Sequence, residues 1–171
     1  MPKLIYSGNW EHSTFFAYLD PNKQYDKFRQ LTTAVVSVYF SSRNQIILTQ
    51  QKTGKYDLLG GKSKKGESVE DTLKREAFEE AGVKLDHWQY FGYYEIFLSK
   101  NASKEYKKRY PKKSYILFFI STGQKVDEPS GKEIQNCKTF SLNKLKTSKI
   151  LDHPMLWTAI KLVELGKVNF L

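Results

Sequence analysis

Three observations predict an α/β fold in which a mixed β-sheet is covered by helices on both faces. β-rich segments lie on both sides of one uninterrupted helix pattern at 69–81, and a second helix pattern follows the last of them. The 171 residues, 40% of them hydrophobic, suffice for one domain, taken as 1–171, with a core of its own.

The elements follow in chain order. Residues 1–31 are read as one strand around 13–19, then a polar loop containing Pro21. Residues 33–40 (Thr-Ala-Val-Val-Ser-Val-Tyr-Phe) are rich in β-branched and aromatic side chains and read as a central strand. A polar turn at 41–44 leads to a second strand at 45–50. After the 69–81 helix come a long strand at 88–98 and another at 114–122, the latter between Pro111 and Gly123. A short strand at 134–141 runs into a helical turn at 142–146. Asp152 is the expected N-cap of a final helix reaching about residue 165, with Pro154 in its first turn and Gly166 after it.

The 69–81 segment carries most of the chemistry. Ser68 can cap its N-terminus with Asp71 three residues on, as in a capping box. No proline or glycine interrupts it, and Gly82 is placed to end it in a left-handed conformation. Val69, Leu73, Ala77 and Ala81 form an apolar stripe for packing on a sheet. The 14 residues 67–80 hold six of the chain's 18 acids: Glu67, Glu70, Asp71, Glu76, Glu79 and Glu80. Glu76, Glu79 and Glu80 share one flank as i, i+3 and i, i+4 neighbours, Glu67 lies just before the helix, and Arg75 is placed to hold Glu79. Clustered like charges need an offset, and a hard divalent cation, which takes oxygen ligands, supplies one.

Residues 61–83 resemble the signature of the Nudix family: Gly, five residues, Glu, seven residues, then Arg-Glu-hydrophobic-x-Glu-Glu-x-Gly-hydrophobic. Gly61, Glu67, Arg75, Glu76, Glu79, Glu80 and Gly82 fill the fixed positions, and Ala77 and Val83 the hydrophobic ones. A lone Glu-x-x-Glu-Glu is by default a solvated face; nine specified positions in register outweigh that reading. Upstream, Tyr56-Asp57-Leu58-Leu59-Gly60-Gly61 lacks the proline of the Trp-x-Leu-Pro-Gly-Gly found in many relatives, which loosens a loop without removing a ligand. The resemblance implies a Nudix-type α/β/α sandwich and hydrolysis of a pyrophosphate linkage in a nucleoside diphosphate joined to another group. It also implies Mg²⁺, with Mn²⁺ as an alternative, bound by Glu76, Glu79 and Glu80, with Glu67 as a further ligand or holding metal-bound water. Arg75 would orient a glutamate, and the Gly61 backbone would approach metal or phosphate closely. For the general base, relatives use either a signature glutamate or one on a later loop; here Glu133 is the first choice of the later kind and Glu128 the second.

The remaining signals bound the partners. The formal net charge of +10 suits an anionic one, a nucleotide derivative or RNA. A nucleoside triphosphate is the favoured substrate. The alternatives are a nucleotide sugar, a dinucleoside polyphosphate, an RNA 5′ end, and a nucleotide-sensing domain without hydrolysis. The segment 99–114 carries seven Lys/Arg and reads as a long loop that could grip a polyphosphate or an RNA backbone, with Tyr106 and Tyr110 to stack bases. Tyr90, Tyr93, Tyr94 and Trp10 are further candidates for stacking. A single cysteine, Cys137, excludes an internal disulfide, and neither a signal peptide nor a membrane-spanning run is present, so a cytoplasmic location without a membrane partner is expected. The sequence is compatible with a homodimer. Nothing in it resembles a zinc site or a nucleophile–His–acid arrangement.

Overall fold

The computed structural model spans residues 1–171, of which all are described below except Lys23, Lys132, Glu133, Lys149, residues 169–171 and the side chain of Gln135. Among the described residues, nine strands form one sheet. In chain order they are β1 (Lys3–Trp10), β2 (Ser13–Leu19), β3 (Thr32–Ser42), β4 (Gln45–Gln51), β5 (Tyr56–Asp57), β6 (Leu59–Lys62), β7 (Val83–Leu98), β8 (Lys113–Lys125) and β9 (Ile134–Ser141). The helices are α1 (Val69–Ala81), α2 (Lys104–Arg109), α3 (Leu142–Thr147) and α4 (Pro154–Glu164), with a short 3₁₀ turn at Asp26–Leu31. The sheet runs β1-β2-β7-β8-β3-β4-β5; β3 and β8 pair in parallel and the other pairs are antiparallel, so the sheet is mixed.

Strand periodicity divides the core in two. On β3, Val35 and Tyr39 face one layer while Val38 and Phe40 face the other; on β8, Tyr115, Leu117 and Phe119 alternate with Phe118 and Ile120 in the same way. The first layer is closed by the α1 stripe Val69, Leu73, Ala77 and Ala81. The second is closed by Leu142 and Leu145 of α3 and by Met155, Leu156, Ala159 and Ile160 of α4. Two covered faces are the sandwich expected from the sequence.

One feature of the sheet positions the site. β3 pairs with β6 along Ala34–Ser37 and with β4 along Tyr39–Ser42, so its edge changes partner midway. The fork opens beside Leu59 and Gly60, at the start of β6.

Several elements differ from expectation. β1 forms a hairpin with β2, and β7 starts at Val83 rather than 88. The basic segment holds the short helix α2, capped by Ser103, whose hydroxyl accepts from Tyr106 N at 3.1 Å. The N-cap of α4 is His153, not Asp152. Pro154 forces the residue before it into extended backbone, which fixes the cap one position later than the aspartate; Asp152 instead accepts from Trp157 Nε1 at 3.3 Å. Among the described residues no helix is long and apolar enough to cross a membrane.

Candidate functional site

The sequence of α1 fixes where its acids point. Ser68 and Asp71 make the reciprocal capping box, Asp71 N donating to Ser68 Oγ at 3.0 Å and Ser68 N to Asp71 Oδ2 at 3.2 Å. Gly82 closes the helix at φ 64°, where a side chain would be strained; a Cβ there would also meet the Asp127 carbonyl oxygen at 1.8 Å. With the apolar stripe buried, the carboxylate flank turns towards β6 and the loop before the helix.

Arg75 is the centre of that flank. Its Nε donates to Glu67 Oε1 at 2.5 Å and its Nη2 to Glu67 Oε2 at 2.9 Å and to the Lys62 carbonyl at 3.0 Å. Its Nη1 donates to Glu76 Oε1 at 2.7 Å and Glu79 Oε2 at 3.1 Å. The five guanidinium N–H groups are thereby matched by five acceptors, a set that a lysine cannot reproduce. Sequence spacing pointed Arg75 at Glu79 alone; Glu67 and Glu76 also converge on it. Glu67 is held further by Lys64 N at 2.8 Å and Thr72 Oγ1 at 3.1 Å. The bond from Arg75 is the main reason that the Glu67 carboxyl is held down at about 2. Lys64 Nζ adds a second cation, 3.3 Å from Glu79 Oε1.

Gly61 and Glu76 are in close contact. A Cβ on Gly61 would lie 2.3 Å from Glu76 Oε1, so glycine leaves room for that carboxylate. Glu80 Oε2 accepts from Gly60 N at 2.8 Å. Gly60, Glu80, Thr49, Gln51, Asp57 and Ile134 line a cleft of about 380 Å³ at the fork of the sheet. Asp57 is exposed at the cleft and accepts from Leu58 N at 2.8 Å; desolvation by the protein packed around its carboxyl acts to raise it above the usual aspartate range.

The loop after β8 is tied to the same helix end. Val126 N and Asp127 N donate to the Gly82 carbonyl at 2.8 and 3.1 Å, and Ser130 N and Gly131 N to the Glu79 carbonyl at 2.8 and 2.7 Å. These backbone bonds could not be read from side-chain patterns. Glu128, on this loop, is 83% exposed and paired with Lys125 at 3.2 Å. Glu133 lies outside the described residues.

Among the described residues, Glu67, Glu76 and Glu79 are thus ion-paired with Arg75, Glu79 also with Lys64, and Glu80 stands alongside with Oε2 on Gly60 N. Among the described residues no three Asp, Glu, His or Cys side chains form a ready metal cage, because Arg75 sits among Glu67, Glu76 and Glu79. The donors are nonetheless all hard oxygens. Glu79 is the most open of the three at Arg75, with its side chain 37% exposed against 18% for Glu67 and 13% for Glu76. The chemistry of this set fits a divalent ion of the Mg²⁺ type.

Three of the aromatic candidates prove to be core. Tyr90, Tyr93 and Tyr94 are buried, because β7 lies between β2 and β8 with both faces covered. A bulge at Phe91 turns Tyr90 and Tyr93 to one face and Phe91 and Tyr94 to the other. Burial raises all three phenols, Tyr93 to about 12. Trp10, Tyr106 and Tyr110 keep part of their surface exposed.

The profile of the NUDIX domain matches residues 30–161. No curated protein sequence matches the chain. Among solved structures, the chain is similar to a point mutant of the Bacillus subtilis pyrophosphohydrolase BsRppH, at 17% identity and a TM-score of 0.67 over 95% of this chain and 98% of that one. A NUDIX hydrolase from Nitrosomonas europaea matches at 17% identity and a TM-score of 0.59 over 80% and 90% of the two chains. The NUDIX domain of Shewanella oneidensis NrtR, in complex with ADP ribose, matches at 14% identity and a TM-score of 0.57 over 87% and 94%. At these identities the likeness speaks for the fold. The match covers most of the chain and includes all of residues 61–83. The chain belongs to the Nudix family of pyrophosphohydrolases.

Proposed function

We propose that this protein is a Mg²⁺-dependent hydrolase that splits the diphosphate bridge of a nucleotide derivative, foremost a nucleoside triphosphate, to give a nucleoside monophosphate. The observation that carries this reading is the gathering of Glu67, Glu76 and Glu79 on one guanidinium, with Glu80 alongside on the wall of a cleft. Glu76, Glu79 and Glu80 would hold the metal, with Glu67 as a further ligand or holding bound water; Mn²⁺ suits the same oxygens. When bound, the divalent ion supplies charge neutralisation of the phosphates and an acidified water for in-line attack.

The chain's own residues do the rest. Arg75 presents three carboxylates in fixed orientation, as the groups behind metal ligands do elsewhere. Gly61 leaves room for Glu76, and the Gly60 N–H orients Glu80. Glu133 is proposed as the general base and Glu128 as the second choice. Support for the loop that carries them comes from its anchorage to the Glu79 carbonyl and from Ile134 on the cleft wall. A second reading, attack at the 5′ end of RNA, is favoured by the exposed Lys104, Lys107, Lys108 and Arg109 of α2.

The test is a panel of nucleoside triphosphates, nucleotide sugars, dinucleoside polyphosphates and triphosphorylated RNA with Mg²⁺ or Mn²⁺, reading which bond breaks. Glu79→Gln and Glu80→Gln should each lower turnover by roughly 10²–10⁴-fold while circular dichroism stays that of the wild type. Near-normal rates in both variants would remove the assignment. An RNA substrate should also lose affinity steeply as salt rises, where a small nucleotide should not.

A further inference from the structure

A second cavity, of about 130 Å³, lies across the end of the sheet, on the face opposite α1. Its floor is Ile96 of β7 and Ile116 of β8, which pack towards the α4 side. Trp10 forms part of one wall and Tyr106 and Tyr110 part of another. The two tyrosine rings lie 4.5 Å apart, and Tyr106 rests on His12 at 4.5 Å. Lys62 completes the rim: its Nζ donates to Tyr110 Oη at 2.6 Å and lies 4.9 Å from the Tyr110 ring centre.

Lys62 also joins this cavity to the carboxylates. Its side chain lines the cavity while its carbonyl accepts from Arg75 Nη2 at 3.0 Å, and Gly61, the next residue back, lies against Glu76. The alternation of β6 explains the pairing, since Gly61 faces α1 and Lys62 the opposite side. We propose that this aromatic cavity takes the nucleobase of the substrate, with Tyr110 and Tyr106 as its stacking wall and Lys62 facing the phosphate-bearing side. The volume is that of a single ring system rather than a whole nucleotide, so the phosphates stay outside, towards Gly61. Stacking needs a π-face and no particular hydrogen-bond code, so the cavity favours presence of a base over its identity. The proposal rests on the pyrophosphohydrolase reading and goes beyond it by separating the base site from the cleft beside Asp57 and Glu80.

The experiment compares equilibrium binding of adenosine monophosphate, guanosine monophosphate and ribose 5-phosphate to the wild-type protein and to its Tyr110→Ala, Tyr106→Ala and Tyr110→Phe variants. Thermal unfolding of each variant is recorded alongside. The wild type should bind both nucleotides about tenfold more tightly than the base-free sugar phosphate. Tyr110→Ala should erase most of that preference and Tyr106→Ala part of it. Tyr110→Phe, which keeps the ring and loses the bond from Lys62, should retain it. In turnover, Tyr110→Ala should raise KM for a nucleotide substrate about tenfold and leave kcat nearly unchanged. A preference that survives both alanine variants, or the absence of any preference in the wild type, overturns the assignment. If the preference is present and lost in Tyr110→Ala while no nucleotide is hydrolysed with metal, the cavity assignment stands and the hydrolase reading falls.

Discussion

At the scale of single residues, Gly61 and His153 make separate predictions. Gly61 has ordinary extended backbone, so an alanine there costs no dihedral strain; its cost is the 2.3 Å approach to Glu76 Oε1. Gly61→Ala should therefore keep the thermal midpoint close to that of the wild type and lower metal-dependent activity by roughly 10–100-fold, as displacement of a residue behind a metal ligand does. Wild-type activity in that variant would show that the position of Glu76 does not matter. His153 lies on the opposite face. Its ring is buried beside Tyr94 and Phe118, Nδ1 has no partner among the described residues, and desolvation pulls the imidazole down to about 4 against a weaker opposite pull from Asp152. The folded state thus holds the neutral ring, while the unfolded chain takes up a proton below about 6.5. Stability from this site is complete above that value and is lost as pH falls towards 4, by about 3 kcal/mol at most. Urea unfolding of wild type and His153→Gln between pH 4 and 7.5 should show the variant with the shallower pH dependence.

At the scale of elements, α1 shows what was legible and why. Its cap, span and stop were readable to the residue, because a capping box, an apolar stripe and a left-handed glycine are all local signals. β3, β4, β8 and β9 were readable within a few residues from their β-branched and aromatic runs. β1 was not: as an edge strand it buries neither face, so no alternation marks it. α2 is a single capped turn and a half without an apolar stripe, inside a lysine run. The identities of the acids in the site were legible, but their arrangement was not. Arg75 reaches Glu67 and Lys62 across a loop, and Glu80 accepts from Gly60 N, and both outcomes depend on where β6 lies. The two ends of α1 should respond differently to substitution. Ser68→Ala removes one side of the box at an exposed cap and should cost about 1 kcal/mol. Gly82→Ala meets both the left-handed dihedral and the Asp127 carbonyl, and should cost several-fold more or prevent folding. It should also shift the 126–131 loop, which hangs from the Gly82 and Glu79 carbonyls. Equal stability of the two variants in denaturant titrations would contradict this asymmetry.

At the scale of the whole molecule, the charge distribution is inverted locally. The chain carries a net +10, yet six of its acids lie within 67–80. Attraction from distant lysines is screened within about 10 Å at ordinary salt, so the cluster feels mainly the cations beside it, among the described residues Arg75 and Lys64. A divalent ion that binds this cluster binds the folded state alone, so it must raise stability with concentration. At a hundredfold excess over its dissociation constant the gain is about 2.7 kcal/mol. For a chain of this size that corresponds to a rise in Tm of roughly 5–10 °C. Scanning calorimetry in rising MgCl₂, against NaCl of matched ionic strength, should show this increase in the wild type. The Glu79→Gln, Glu80→Gln double variant should gain little from Mg²⁺. If Mg²⁺ raises both proteins equally, the ion binds elsewhere, and these carboxylates are a salt-bridged surface without a metal.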